Sequence, residues 1–226
     1  MTNYKVICDE KLLNDFIDEL PDNTVNERYY FCLFARKKYC REIKYIKSDK
    51  SQLARKVATK DRLFGKIKQM ECELGSYLQD DVDIPQEALA LYINPNPRCM
   101  RKATFQLLKR LADIVCVDSP GFNPQAEAMS CIQRSCSRRV VSDFDVDTKD
   151  IDIVRTCEDI LEDHNCFKIL ETRGGYHVLV KTKEVPKHKQ RTFYKQLAEF
   201  SDITGDCMLP APGTYQGGFV PKFLEC

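Results

Sequence analysis

Residues 139–181 constrain the fold more than any other stretch. RVVSDFDV reads as a strand. IDIVRTCEDILEDH reads as a helix with Ile153, Val154, Cys157, Ile160 and Leu161 on one face. CFKILET is a strand, RGG a turn and YHVLVK a strand. The order is strand–helix–strand–turn–strand, and the aspartate strand is expected to pair beside the hairpin.

Alternate side chains in a strand share a face. Val140, Ser142, Phe144 and Val146 therefore point to a core, while Val141, Asp143, Asp145 and Asp147 share the other side. Neighbouring anions repel and disfavour a strand, and a divalent cation turns that repulsion into attraction. Mg²⁺ and Mn²⁺ take oxygen ligands, and a pair of such ions suits in-line attack at phosphorus. The alternative is a solvated strand end, with Asp147 and Asp150 as cap or turn residues.

The turn ETRGGYHVLVK adds a second element. Gly174 and Gly175 let backbone approach a phosphate closely. His177 lies on the strand face opposite Tyr176, Val178 and Val180 and shares its face with Lys181. With Arg173 and the glycine amides it is a candidate contact for a nucleoside triphosphate, not a general base; the alternative is a structural histidine. GDCMLPAPGTYQGGF supplies a further carboxylate, Asp206, or Asp202 just before it.

The charge distribution points the same way. Formal net charge is only +1, yet residues 35–68 carry 13 Lys or Arg against three acids. Tyr39, Tyr45 and Phe64 interleave with them. A phosphate-tracking surface with rings for stacking is the favoured reading, through Arg36, Lys37, Lys38, Arg41, Lys44, Lys47, Arg55 and Lys56. A solvated basic face is the alternative.

Elsewhere, DEKLLNDFIDEL places Leu12, Leu13, Phe16, Ile17 and Leu20 at helical spacing before Pro21, and RYYFCLFA reads as a strand, with a buried helix as the alternative. Residues 76–87 read as a polar connection, and ALALYINPNPR as a strand ending in an Asn-Pro-Asn-Pro turn. A helix follows, with Met100, Ala103, Leu107, Leu108 and Leu111 on one face. Residues 117–135 show no clear period and read as an insertion or partner loop, and a last helix spans KQRTFYKQLAEF. A chain that is 43% hydrophobic and 31% charged fits one large or two small globular domains. It shows neither a secretory signal nor an apolar run of the roughly 18 residues that cross a bilayer. An intracellular, cytoplasmic chain is expected, with its 12 cysteines as reduced, mostly buried thiols.

DFD on a strand, a helix, a hairpin ending in GYH, then an acid before PGT: this series resembles the archaeo-eukaryotic primase superfamily, particularly its phage and plasmid primase-polymerases. The first motif is matched by Asp143 and Asp145, the second by Thr172, Gly174, Gly175 and His177, the third by Asp206. The likeness covers roughly residues 88–223. It implies an α+β fold: an RRM-like catalytic sheet, antiparallel or mixed, with flanking helices, packed against a second N-terminal α/β unit. The division expected is residues 1–85 as a basic accessory region and 86–226 as the catalytic region. The resemblance also implies that Asp143, Asp145 and Asp206 hold two Mg²⁺ or Mn²⁺ ions. His177, with Thr172, Arg173, Gly174, Gly175 and Lys181, then contacts an NTP or dNTP. The basic residue common in the family between the third acid and PGT is absent; Lys181, Lys222 and Arg98 are the candidates to replace it. The implied activity is primer synthesis on single-stranded DNA, with a helicase or accessory primase subunit as a further partner. A metal-dependent nuclease or phosphohydrolase, and a non-catalytic single-strand-binding replication protein, are the alternatives.

Overall fold

The computed structural model describes residues 2–40, 51–116 and 121–224. Its helices are α1 (Glu10–Glu19), α2 (Leu63–Lys68), α3 (Met100–Cys116), α4 (Pro124–Arg134), α5 (Ile153–Leu161) and α6 (Phe193–Ala198). Its strands are β1 (Glu27–Ala35), β2 (Ser51–Ala58), β3 (Leu78–Gln79), β4 (Val82–Asp83), β5 (Leu89–Ile93) and β6 (Arg98–Cys99). They continue with β7 (Ser142–Val146), β8 (Phe167–Glu171), β9 (Tyr176–Val180), β10 (Ile203–Gly205), β11 (Leu209–Pro210) and β12 (Lys222–Phe223). The fold is α+β, with two five-stranded sheets and the small β3–β4 hairpin.

The first sheet runs β11-β5-β1-β2, with β6 also paired to β1. Strand β1 is buried on both faces. Tyr29, Phe31, Leu33 and Ala35 enter one core with α1 and α2. Tyr30, Cys32 and Phe34 face the other way, against Met129 and Ile132 of α4. A strand covered on both sides has no polar face, which is why RYYFCLFA lacks alternation.

The second sheet runs β10-β7-β9-β8-β12, every pair antiparallel. One face carries Phe144, Val146, Phe167, Ile169, Val178 and Val180 into a core closed by α5 and α6. The opposite face is divided. Leu170 and Leu179 join the core of the first sheet, while Asp143, Asp145 and His177 occupy the polar part. The two sheets thus share apolar packing at one end and part at the other.

Three sequence expectations change. Residue 85 does not separate the sheets, because β5 and β11 pair with each other beside β1; the first sheet draws strands from both sides of that boundary. Residues 124–134, read as loop, form α4, whose Asn123 cap accepts from the Ala126 N–H. The apolar face expected on α3 is not buried as such: Ala103 is its buried residue, and Phe105, Leu108 and Val115 are exposed. This helix packs mainly against α4, a second short amphipathic element, so neither pattern reports a deep core. No helix among the described residues is long and apolar enough to cross a membrane.

Candidate active site

The β7–β9 ladder sets Asp145 directly across from His177 and Asp143 across from Leu179. His177 is buried, and its Nδ1 lies 3.0 Å from both oxygens of Asp143. Its Nε2 lies 3.5 Å from Asp145 Oδ1. Burial opposes charging the ring, but Asp143 and then Asp145 and Asp147 outweigh it and raise the His177 pKa. The ring bridges two carboxylates, which favour its protonated form. Asp145 shifts the other way from most paired acids. Burial pushes its pKa up, His177 pulls it down, and Asp147, Asp143 and Asp202 push it up again.

Asp206 follows β10 and is held quite differently. Arg98, 1% exposed, reaches it with Nη1 at 2.5 Å from Oδ2 and Nη2 at 2.7 Å from Oδ1. Asn96 Nδ2 donates to Oδ1 at 2.9 Å. Burial raises the Asp206 pKa, yet the Arg98 bonds and charge, followed by Asn96, hold it below the usual carboxylate value. Asn96 is also the anchor of the aspartate strand. Its Oδ1 accepts from Val140 N at 2.8 Å and Val141 N at 3.0 Å, and its Nδ2 donates to Val141 O at 2.8 Å. The Asn-Pro-Asn-Pro turn therefore braces the entry to β7.

Asp145, Asp147, His177 and Asp206 line one cleft of about 720 Å³ between the sheets. The same cleft is lined by Arg36, Lys38 and Arg134, so an acidic floor meets cationic walls. Arg36 Nη1 donates to the Tyr92 hydroxyl at 2.6 Å. The Arg36, Lys38 and Arg173 charges all stand over the Tyr39 ring, Arg173 nearest at 4.6 Å. Phe34, Tyr92 and Met208 give the cleft an apolar side.

The remaining expected residues divide. Gly174 and Thr172 line the cleft, but Thr172 closes the turn on itself, exchanging hydrogen bonds with the Gly175 peptide at 3.1 and 3.2 Å. Gly175 is required by β7, not by a phosphate: a Cβ there would lie 1.9 Å from the Val146 carbonyl oxygen. The PGT turn is likewise structural, since Gly213, at φ +74°, packs on the start of α1 and accepts from Cys8 and Asp9 N–H groups at 2.9 Å. Lys181 lies elsewhere, pairing with Glu184 at 3.2 Å and lining a separate small pocket with Phe16 and Phe223. It is not brought to the cleft, because it follows the far end of β9 from His177. Lys222 is exposed on β12.

The basic stretch does not form one continuous surface among the described residues. Arg36 and Lys38 reach the cleft and Lys37 is exposed beside them. Arg55 instead braces α4 through Ala126 O at 3.2 Å and Ser130 Oγ at 3.4 Å, and Lys56 reaches Gln69 O at 3.5 Å. Arg41, Lys44 and Lys47 lie outside the described residues.

The expected cation ligands fit unevenly. Among the described residues no group of three or more His, Cys, Asp or Glu side chains has metal-holding geometry. Asp143 is fully buried with both oxygens on His177, and both oxygens of Asp206 are on Arg98. Asp145 and Asp147 are the carboxylates that face the cleft without such a fork, and a cation would relieve the repulsion that raises Asp145. Asp147 was legible as the next same-face residue of DFDVD. Arg98, a candidate for the missing phosphate contact, is instead buried on Asp206, and Asn96 and Arg134 carried no local signal, because their roles depend on contacts across the sheets. Comparison with protein-family models, with curated proteins and with solved structures finds no match to this chain.

Proposed function

We propose that the chain is a metal-dependent nucleotidyltransferase that extends or initiates a strand on a single-stranded DNA template, a primase or primase-polymerase. One observation carries this reading. Three acid- or histidine-bearing stretches, at Asp145, His177 and Asp206, meet in a single cleft whose other walls are cationic. A nucleoside triphosphate with its cation asks for that combination of charges. The chain path supports it: β7-α5-β8-β9-α6-β10 is a βαββαβ unit of the ferredoxin-like kind, the connectivity expected of an RRM-like catalytic sheet.

In this reading Arg36, Lys38 and Arg134, the cations that line the cleft, neutralise the triphosphate. The His177 ring, fixed by Asp143, orients Asp145 towards the cleft. A divalent cation on Asp145 and Asp147 would polarise the α-phosphoryl group and offset charge on departing pyrophosphate. A 3′-hydroxyl gives up its proton to water as its oxygen attacks the α-phosphorus, the new ester forms, and the bond from the α-phosphorus to the bridging oxygen breaks, releasing pyrophosphate. The apolar side at Phe34, Tyr92 and Met208 excludes water from one flank of the cleft.

A second reading, a non-catalytic nucleic-acid-binding protein, draws on the pairing of Asp143 and Asp206 with internal cations. One experiment separates the two: single-stranded template, labelled ATP or dATP and Mn²⁺, with product length read on a gel. Extension that requires nucleotide and disappears in Asp145→Ala supports the transferase. Shortening of labelled DNA without nucleotide makes the chain a nuclease. Salt-sensitive binding with neither product leaves the binding protein.

A further inference from the structure

We infer that Asp206 is the internal counterion of Arg98 and holds no divalent cation, the pair serving as a clamp that positions the Asp143–Asp145 strand. The inference rests on the nucleotidyltransferase reading for its choice of site and departs from it on this one residue.

The argument begins with Arg98. Its guanidinium is 1% exposed, and its Nε has no partner among the described residues. The neutralisation of this buried charge falls on Asp206, assisted by the Gln133 carbonyl at 3.0 Å from Nη1. The contact is a two-pronged fork that uses both carboxylate oxygens, the geometry in which arginine and carboxylate bind most strongly. Asn96 takes up a further lone pair of Oδ1. A divalent ion on Asp206 would have to share these oxygens and would sit beside a buried positive charge with little water to screen it. Removing one partner of such a pair strands the other, whereas replacing both with apolar groups of similar size is often tolerated.

The clamp has a definite mechanical reach. Arg98 lies on β6, which pairs with β1 of the first sheet. Asp206 follows Gly205, which pairs with Asp143 across β10–β7. Asn96 ties Asp206 to the backbone of Val140 and Val141. One ion pair and one amide thus fix the aspartate strand against the first sheet, across the cleft from Arg36 and Lys38.

Melting temperature and Mn²⁺ affinity by calorimetry test the inference on the whole chain. Asp206→Leu and Arg98→Met should each lower the melting temperature by about 10 °C. The double variant Arg98→Met/Asp206→Leu should recover most of that loss and bind Mn²⁺ within about twofold of the wild type. Asp145→Asn should weaken Mn²⁺ binding about tenfold or more without a fall in melting temperature. A double variant no more stable than the single ones overturns the clamp. A double variant of restored stability that binds Mn²⁺ about tenfold more weakly makes Asp206 a cation ligand, and equally overturns the inference. Failure of the wild-type chain to bind Mn²⁺ ends the nucleotidyltransferase reading, and the melting temperatures still judge the clamp.

Discussion

His177 stands opposite Asp145 in the strand ladder, yet its short contacts, both 3.0 Å, are to Asp143. The ring leans along the sheet towards the deeper acid and presents only Nε2 to the shallower one. Asp143 therefore sets the charge of His177, and His177 in turn moderates Asp145.

The raised His177 pKa fixes the sign of a pH effect. Its unfolded value is about 6.5. The stability it contributes is full below that value and is lost as pH rises through the higher folded value. Wild-type unfolding free energy should fall relative to His177→Gln as pH rises above about 6.5, measured by urea titration. Asp143→Asn removes the main anion and leaves burial opposed only by Asp145 and Asp147, so the imidazole should titrate at lower pH in an NMR series. An unmoved titration curve would show that Asp143 does not control the ring.

Asp145 gives the opposite sign to an ordinary paired acid. Its raised pKa means the folded state disfavours its charge, first through burial. Above that pKa the charged group costs stability, and the cost disappears as pH falls through it. Asp145→Asn should raise the melting temperature at neutral pH while abolishing nucleotide incorporation. A variant less stable than the wild type would mean the His177 contact outweighs burial.

Much of the second sheet was legible because β7 alternates cleanly in residue type: Phe144 and Val146 into the apolar core, Asp143 and Asp145 on the other face. That pattern marked both the acids and the His177 partner strand. The first sheet was less legible. β1 is buried on both faces and shows no period, and β5 and β11 join it from distant parts of the chain. Helix α4 was missed because it buries only Cys131 fully, so its apolar face is thin. The acids were visible as residues, but their partners were not. Nothing near Asp206 in sequence names Arg98, and a sequence pattern cannot tell a carboxylate open to a cleft from one closed by a guanidinium.

Gly174 and Gly175 look equivalent in the motif and should behave differently. A Cβ on Gly175 would collide with the Val146 carbonyl oxygen at 1.9 Å, and backbone cannot yield as a side-chain tip can. Gly175→Ala should cost about 3 kcal/mol, at the upper end for overpacking, seen in denaturant unfolding. A Cβ on Gly174 meets only Lys38 Nζ at 3.9 Å and Asp147 Oδ1 at 4.0 Å. Gly174→Ala should change stability by no more than about 0.5 kcal/mol. Equal losses at both positions would place the demand for glycine in the turn itself rather than in its contact with β7.

The basic stretch contains two kinds of cation, and salt dependence should tell them apart. Lys38 lines the cleft and stands near Gly174 and Asp147, whereas Arg55 spends its guanidinium on Ala126 and Ser130 of α4. Each phosphate contact on a single strand contributes about 0.7 to the slope of log affinity against log salt. Lys38→Ala should therefore lower that slope by about 0.7 in fluorescence titrations with labelled oligonucleotide. Arg55→Ala should leave the slope alone and reduce stability by about 1 kcal/mol, the usual net worth of such hydrogen bonds. If Arg55→Ala flattened the slope and Lys38→Ala did not, the nucleic acid would have to cross the α4 side of β2 rather than the cleft. The assignment of Arg36 and Lys38 as the phosphate-facing pair would then fall.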